Sequence, residues 1–193
     1  MQKRALTIIR DEHHALAAVL RALQHLVKQT RIEKKPPDFS LLKSILNYIE
    51  AFPDKLHHPK EDQYLYRILR KRDSSSLEIL DLLEEEHRNE SEWLSNLRQA
   101  LDAYEANPST FDTFAKEVET YVASHFEHMN KEENIILPTA QKALTTKDWE
   151  EIDAAFQSNE DPLVGVGTQR EFRDLFSRIV NLMPAPYGLG PDL

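Results

Sequence analysis

The sequence predicts an all-α fold: an up-down-up-down four-helix bundle followed by a C-terminal helical extension. Three observations predict it. Apolar residues recur at alternating steps of three and four in four separate segments, the stripe of a bundle helix. Prolines and short polar runs separate those segments, so the connections are short. Glycine is scarce, 4 in 193 residues, which argues against sandwiches, barrels and glycine-rich nucleotide loops. The length suits one domain with a core of its own.

The first stripe is Leu6, Ile9, His13, Leu16, Leu20, Leu23 and Val27. It stops at Lys34-Lys35-Pro36-Pro37-Asp38, where two prolines break helix. Ser40 is the candidate cap of the next segment. There Ile45, Ile49, Phe52 and Leu56 form a stripe that Leu65 and Ile68 resume, with Pro53 and Pro59 interrupting. One kinked helix, or two stacked short ones, is expected over about 39–70. Ser74-Ser75-Ser76 is a loop and a candidate cap for the third stripe, which runs Leu80, Leu83, His87, Glu90, Leu94, Leu97, Leu101, Tyr104. A turn at Asn107-Pro108-Ser109 leads to the fourth: Phe111, Phe114, Val118, Tyr121, His125, His128, Glu132 and Ile135, ending near Pro138.

These segments make a bundle unit over 1–145 and leave 146–193 as an extension and tail that pack on it. Trp149, Ile152 and Phe156 fit a short amphipathic helix after Thr145-Thr146-Lys147-Asp148. Asp161-Pro162 with Gly165 and Gly167 reads as a loop, Phe172, Phe176, Ile179 and Val180 as a last helix, and Pro184 to Leu193 as an extended tail. The aromatic residues Trp149, Phe156, Phe172 and Phe176 are expected to cap one end of the bundle. Dimerisation through them is the alternative, so the chain is expected as a monomer or a homodimer.

A net charge of −9 disfavours phosphate backbones, so no nucleic-acid partner is expected. No apolar run approaches the roughly 18 residues of a membrane span, so no membrane partner is expected and a cytoplasmic location follows. Cysteine is absent, which removes disulfides, thiolate nucleophiles, iron–sulfur clusters and zinc–cysteine knots. With 8 histidines and no thiol, a metal site must be built from imidazole and carboxylate.

Polar residues interrupt the stripes where the core should be. His13 does so in the first helix, His87 and Glu90 in the third, His125, His128 and Glu132 in the fourth. In the second, His57, His58 and Glu61 share one face. A lone histidine on such a face is usually a hydrogen-bonded core residue. Burying this many imidazoles and carboxylates along one axis would instead cost several kcal/mol per unpaired group, and a metal cluster removes that cost. The pairs His57–Glu61 and His128–Glu132, at spacing i,i+4, can each set a nitrogen and a bridging oxygen on one centre. A buried dinuclear site follows, with iron or manganese as the suited metals and zinc as a further option. Asp11 and Glu12 read as stabilisers of the exposed helix start, His14 and His25 as off-stripe, and Tyr64 with Tyr66 as packing.

At these residues the chain resembles the haemerythrin-like family with its HHE cation-binding domain. The matching pieces are Asp11-Glu12-His13, His57-His58-Pro59-Lys60-Glu61-Asp62, Glu85-Glu86-His87 and His128-Met129-Asn130-Lys131-Glu132-Glu133, one per helix in family order. The resemblance implies two iron ions, oxo- or hydroxo-bridged, with Glu61 and Glu132 as bridging carboxylates and His13, His57, His87 and His128 as terminal ligands. Oxygen-carrying members place a second histidine one turn along the third helix, where this chain has Ser91. His58 is the best substitute. Glu90 is weaker and reads rather as an acceptor for an imidazole N–H.

Two bridging carboxylates, one bridging oxygen and five histidines leave one position open on a pair of six-coordinate metals. Dioxygen, peroxide or nitric oxide would bind there. A protein that binds or senses such a ligand is therefore expected. A peroxidase-like or nitric-oxide-reducing enzyme or an iron donor for cluster repair, and a structural metal module, are the alternatives. No catalytic acid is evident beside the site, which ranks binding first. His125 lies nearly two turns, about 10 Å, from Glu132 at the helical rise, so it is expected to line the site rather than ligate.

Overall fold

The computed structural model describes residues 4–157 and 170–183, and among these it is all-helical, with no strand. Three long helices, α1 (Arg4–Glu33), α5 (Leu77–Ala106) and α6 (Phe111–Lys131), carry much of the chain. A fourth long stretch is continuous from Phe39 to Arg72 but changes its winding. It runs α2 (Phe39–Ile49), π1 (Glu50–His57), α3 (His58–Lys60), π2 (Glu61–Tyr66) and α4 (Arg67–Arg72). Helix α6 passes likewise into π3 (Glu132–Ile136) and α7 (Leu137–Ala143). The short α8 (Thr146–Phe156) and α9 (Arg170–Leu182) follow. Helix α1 packs on α2 and α6, and α5 packs on α2 and α6.

The second stretch is thus one continuous helix with widened turns, not two stacked short ones. A proline lies in or beside every widened turn: Pro53 in π1, Pro59 between π1 and π2, Pro138 just after π3. Proline has no N–H to give and its ring clashes with the carbonyl four residues back. The ladder re-forms one residue further out. The N–H of His58 reaches Pro53 O, that of Arg67 reaches Asp62 O, and that of Leu137 reaches Glu132 O. A wider turn rotates less per residue, so adjacent positions share a face. His57 and His58 are consequently both buried.

Caps fall on acids rather than on the serines expected. Asp38 caps α2 by accepting the Leu41 N–H at 3.1 Å, while Ser40 donates to Asp38. Asp73 takes the corresponding place before the 3-10 turn Ser74–Ser76. Thr145 and Asp148 form a reciprocal capping box on α8. Helix α1 ends through Lys34 in the left-handed region, φ 57°, its N–H on Thr30 O at 3.0 Å.

The apolar core is divided. One cluster joins the Leu16–Val27 part of α1 to α2, the distal half of α5, most of α6, and Leu175, Ile179 and Met183. The other joins Ala5, Leu6 and Ile9 to Leu65–Leu69, Leu80, Leu83, Ile136–Leu144 and Trp149, Ile152, Phe156. The two described helices of the extension pack on different clusters, with Trp149 and Phe156 together in the second. Helix α8 packs in the second cluster, where Asp153 accepts the Ala5 N–H at 2.8 Å, and α9 packs in the first, on α1 and α2. Phe176 faces solvent. The side chain of Phe172, the loop at Asp161-Pro162 with Gly165 and Gly167, and the tail from Pro184 lie outside the described residues. No described helix is long and apolar enough to cross a membrane.

Candidate metal centre

The buried histidines and glutamates lie where the two apolar clusters meet: after Ile9 and before Leu16, after Phe52 and before Leu65, after Leu83 and before Leu94, and between Val122 and Ile136 on either side of Met129. His13, His57, His58, Glu61, His128 and Glu132 are all buried, as is the ring of His87. Two sets of ligating atoms emerge. His13, His57 and Glu61 form one, and His58, Glu61, His87 and His128 form the other; Glu61 belongs to both.

Glu61 Oε2 lies 3.4 Å from His57 Nε2 and 3.8 Å from His87 Nε2. Glu132 Oε2 lies 3.2 Å from His13 Nε2 and 3.5 Å from His128 Nε2. Each carboxylate thus touches an imidazole of both sets. The facing nitrogens are close as well: His13 Nε2 to His57 Nε2 is 3.3 Å, and His87 Nε2 to His128 Nε2 is 3.0 Å. Neither oxygen of Glu61 accepts a hydrogen bond, nor does Glu132 Oε2. Acceptor-only atoms so deeply buried, converging with the Nε2 atoms of four imidazoles, are a donor set that fits cations.

The outer nitrogens show how the rings are held. His57 Nδ1 is 2.6 Å from Glu12, His87 Nδ1 2.8 Å from Asp62, His128 Nδ1 2.8 Å from Glu86, and His13 Nδ1 3.0 Å from Glu133. These four contacts close a ring around the molecule, since each long stretch holds an imidazole of the next with an acid of its own. An Nδ1–H donated to a carboxylate fixes the tautomer and turns Nε2 inward as a lone-pair donor, the usual arrangement behind a metal-binding histidine. Lys131 bonds the other oxygen of Glu86 at 2.6 Å.

Charge without ions is distributed unevenly. Burial, with the charge of Glu132 beside it, pushes Glu61 well above the carboxylate range. Burial would raise Glu132 too, but His128 and His13 hold it well below. Burial lowers the imidazoles, and it prevails at His57 and His58. At His13 and His128 the neighbouring carboxylates outweigh it and lift them to about 9 and about 10.

Several residues take places that the sequence had not assigned. Glu12 is buried against His57 instead of lying at an exposed helix start. Tyr66 is no packing residue alone: its hydroxyl donates to Glu132 Oε1, and its ring stacks on His87 at 5.6 Å. Glu12, Asp62, Glu86 and Glu133 each adjoin a motif residue in sequence, and that adjacency was the available signal. Tyr66 offered none. Glu90 Oε2 lies 2.5 Å from His58 Nδ1. His125 stands in neither set: its Nδ1–H donates to Tyr121 O at 2.9 Å, and its Nε2 is buried without a hydrogen-bond partner. His14 is exposed and His25 half-buried.

The Hemerythrin HHE cation binding domain matches residues 4–140. The chain belongs to that family. The hemerythrin match spans the two ligand sets and all four acids of the ring, and it ends before α8. No curated protein and no solved structure matches the chain. Cation binding is therefore the chemistry that the family and the histidine–glutamate clusters support together.

Proposed function

We propose that this hemerythrin-family chain is a non-haem di-iron protein that binds or senses a small ligand such as dioxygen, peroxide or nitric oxide. The reading is carried by the shared carboxylates: Glu61 and Glu132 each contact imidazoles from both halves of the site. In it, His13 and His57 would hold one iron, His58, His87 and His128 would hold the other, and Glu61 and Glu132 would be shared between them. The metal pair, held by five histidines and two carboxylates, would supply the electrons and the binding site for the ligand. The chain's own residues do the rest. Glu12, Asp62, Glu86 and Glu133 orient the rings, and the apolar clusters on both sides exclude water. The bundle unit over 1–145 is proposed as the up-down-up-down four-helix arrangement, with 146–193 as its extension.

A peroxide-reducing enzyme is the second reading, and Tyr66 favours it. Its hydroxyl, bonded to Glu132, is a proton donor inside the site. Elemental analysis with an absorption spectrum before and after exposure to air tests both. Two irons per chain with a reversible spectral change support binding, and turnover of added peroxide supports the enzyme. Zinc with no redox response would overturn both.

A further inference from the structure

A third group of ligating atoms lies beside the pair, towards solvent. Asp54, His58 and Glu90 each bring one such atom to within 4.8 Å of the others. Asp54, His58 and Glu61 follow at steps of four and three along one continuous helical stretch, so they line one face of it. Exposure declines inward: Asp54 is half-buried, His58 is 4% exposed and Glu61 0%.

A second observation comes from a neighbouring helix. Tyr121, on α6 and 4% exposed, has a hydroxyl with no hydrogen-bond partner; burial pushes it well above the usual phenol range, and the charges of Asp54 and Glu90 add to that. Asp54 Oδ1 is also buried and accepts no hydrogen bond. The 2.5 Å approach of Glu90 to His58 Nδ1 lacks hydrogen-bond alignment. Three ligating groups thus converge on one place, and the buried Asp54 Oδ1 and His58 Nδ1 lack hydrogen bonds there, which is costly unless a cation lies among them.

We propose that Asp54, Glu90 and the Nδ1 side of His58 form an entry site for a divalent cation on its way to the paired centre, with the Tyr121 hydroxyl as a further oxygen ligand. The proposal rests on the paired-centre reading. His58 belongs to both groups, so the two sites are one imidazole apart. An ion at the entry site takes Nδ1 while the ring proton sits on Nε2. Once the ion has moved inward it takes Nε2, and the proton returns to Nδ1 facing Glu90. No proton is gained or lost in total, and no redox step is involved.

The test is uptake of Co(II) by the metal-free full-length chain, followed by stopped-flow absorbance. Wild type should take two ions per chain. Asp54→Asn should also take two, but about tenfold more slowly, the scale on which a single charge guides an ion into a cleft. Its metal-free form should melt no lower than wild type, because a poorly compensated carboxylate has gone. Tyr121→Phe, which keeps the ring, should slow uptake to a lesser extent. Wild-type rates in both variants would overturn the entry site and leave the pair standing. An Asp54→Asn chain that holds a single ion would make Asp54 a ligand of the pair and overturn the entry role. A wild-type chain that takes up no Co(II) would overturn the pair and the entry site together.

Discussion

Glu61→Ala and Glu132→Ala should each leave at most one metal ion per chain, measured by elemental analysis. Glu61 is common to both ligand sets, and Glu132 touches imidazoles of both. A carboxylate is the side chain here that can span two cations while offsetting their repulsion. Retention of two ions with an unchanged spectrum would remove the bridging assignment. His125 makes a different prediction. Burial lowers it to about 4 from an ordinary 6.5. A histidine whose folded-state value lies below its unfolded one binds fewer protons when folded. Its contribution is present above about 6.5 and lost as pH falls towards about 4. Wild-type stability should fall over that window by on the order of 3 kcal/mol from this group. His125→Gln should lose correspondingly less between pH 7 and pH 5 in denaturant titrations, and should still hold two ions. An identical pH slope in the two proteins would dismiss the effect. At this scale the histidines proposed as ligands were legible because they interrupt apolar stripes or share a face with a glutamate. Tyr66 was not, because an aromatic residue on a core face looks the same whether or not its hydroxyl has found a carboxylate.

Asp38 shows what a single cap contributes to an element. Its carboxylate accepts the Leu41 N–H, and Ser40 and Arg178 hold it in place. Asp38→Ala should cost about 1 kcal/mol, the usual value of an N-cap, in equilibrium unfolding. No change in the unfolding midpoint would mean that solvent serves the helix start equally well. The element boundaries were readable because prolines and polar runs mark them, and the stripes placed the long helices. The winding inside the second stretch was hidden. Proline announces that the α-helical ladder must fail, but whether the chain kinks or widens depends on tertiary contacts. Here the widened turn that ends at His57 lets His57 and its neighbour His58 turn inward together, which a 3.6-residue period does not anticipate. That period assigned His57, His58 and Glu61 to one face correctly and could not explain how adjacent histidines share it.

For the whole molecule, metal and fold are linked. An ion that binds only the folded chain adds stability in proportion to the logarithm of its excess, about 4 kcal/mol at a thousandfold over its dissociation constant. The metal-loaded protein should therefore melt well above the metal-free one, while far-ultraviolet circular dichroism stays helical in both. Equal melting temperatures would argue against a buried site. The division of the core into two apolar clusters with a polar layer between them adds a consequence for where the metal-free chain opens. Most helical proteins fray from their ends, because the centre is the best packed region. In this one the Ile9 and Leu23 sides of α1 lie in separate apolar clusters, while the mid-section bears unbonded carboxylates and three widened turns. Deuterium should thus enter the amides of residues 57–66 and 128–136 sooner than those of 20–27 or 94–101, an inside-first pattern. Adding the metal should reverse that order by closing the middle.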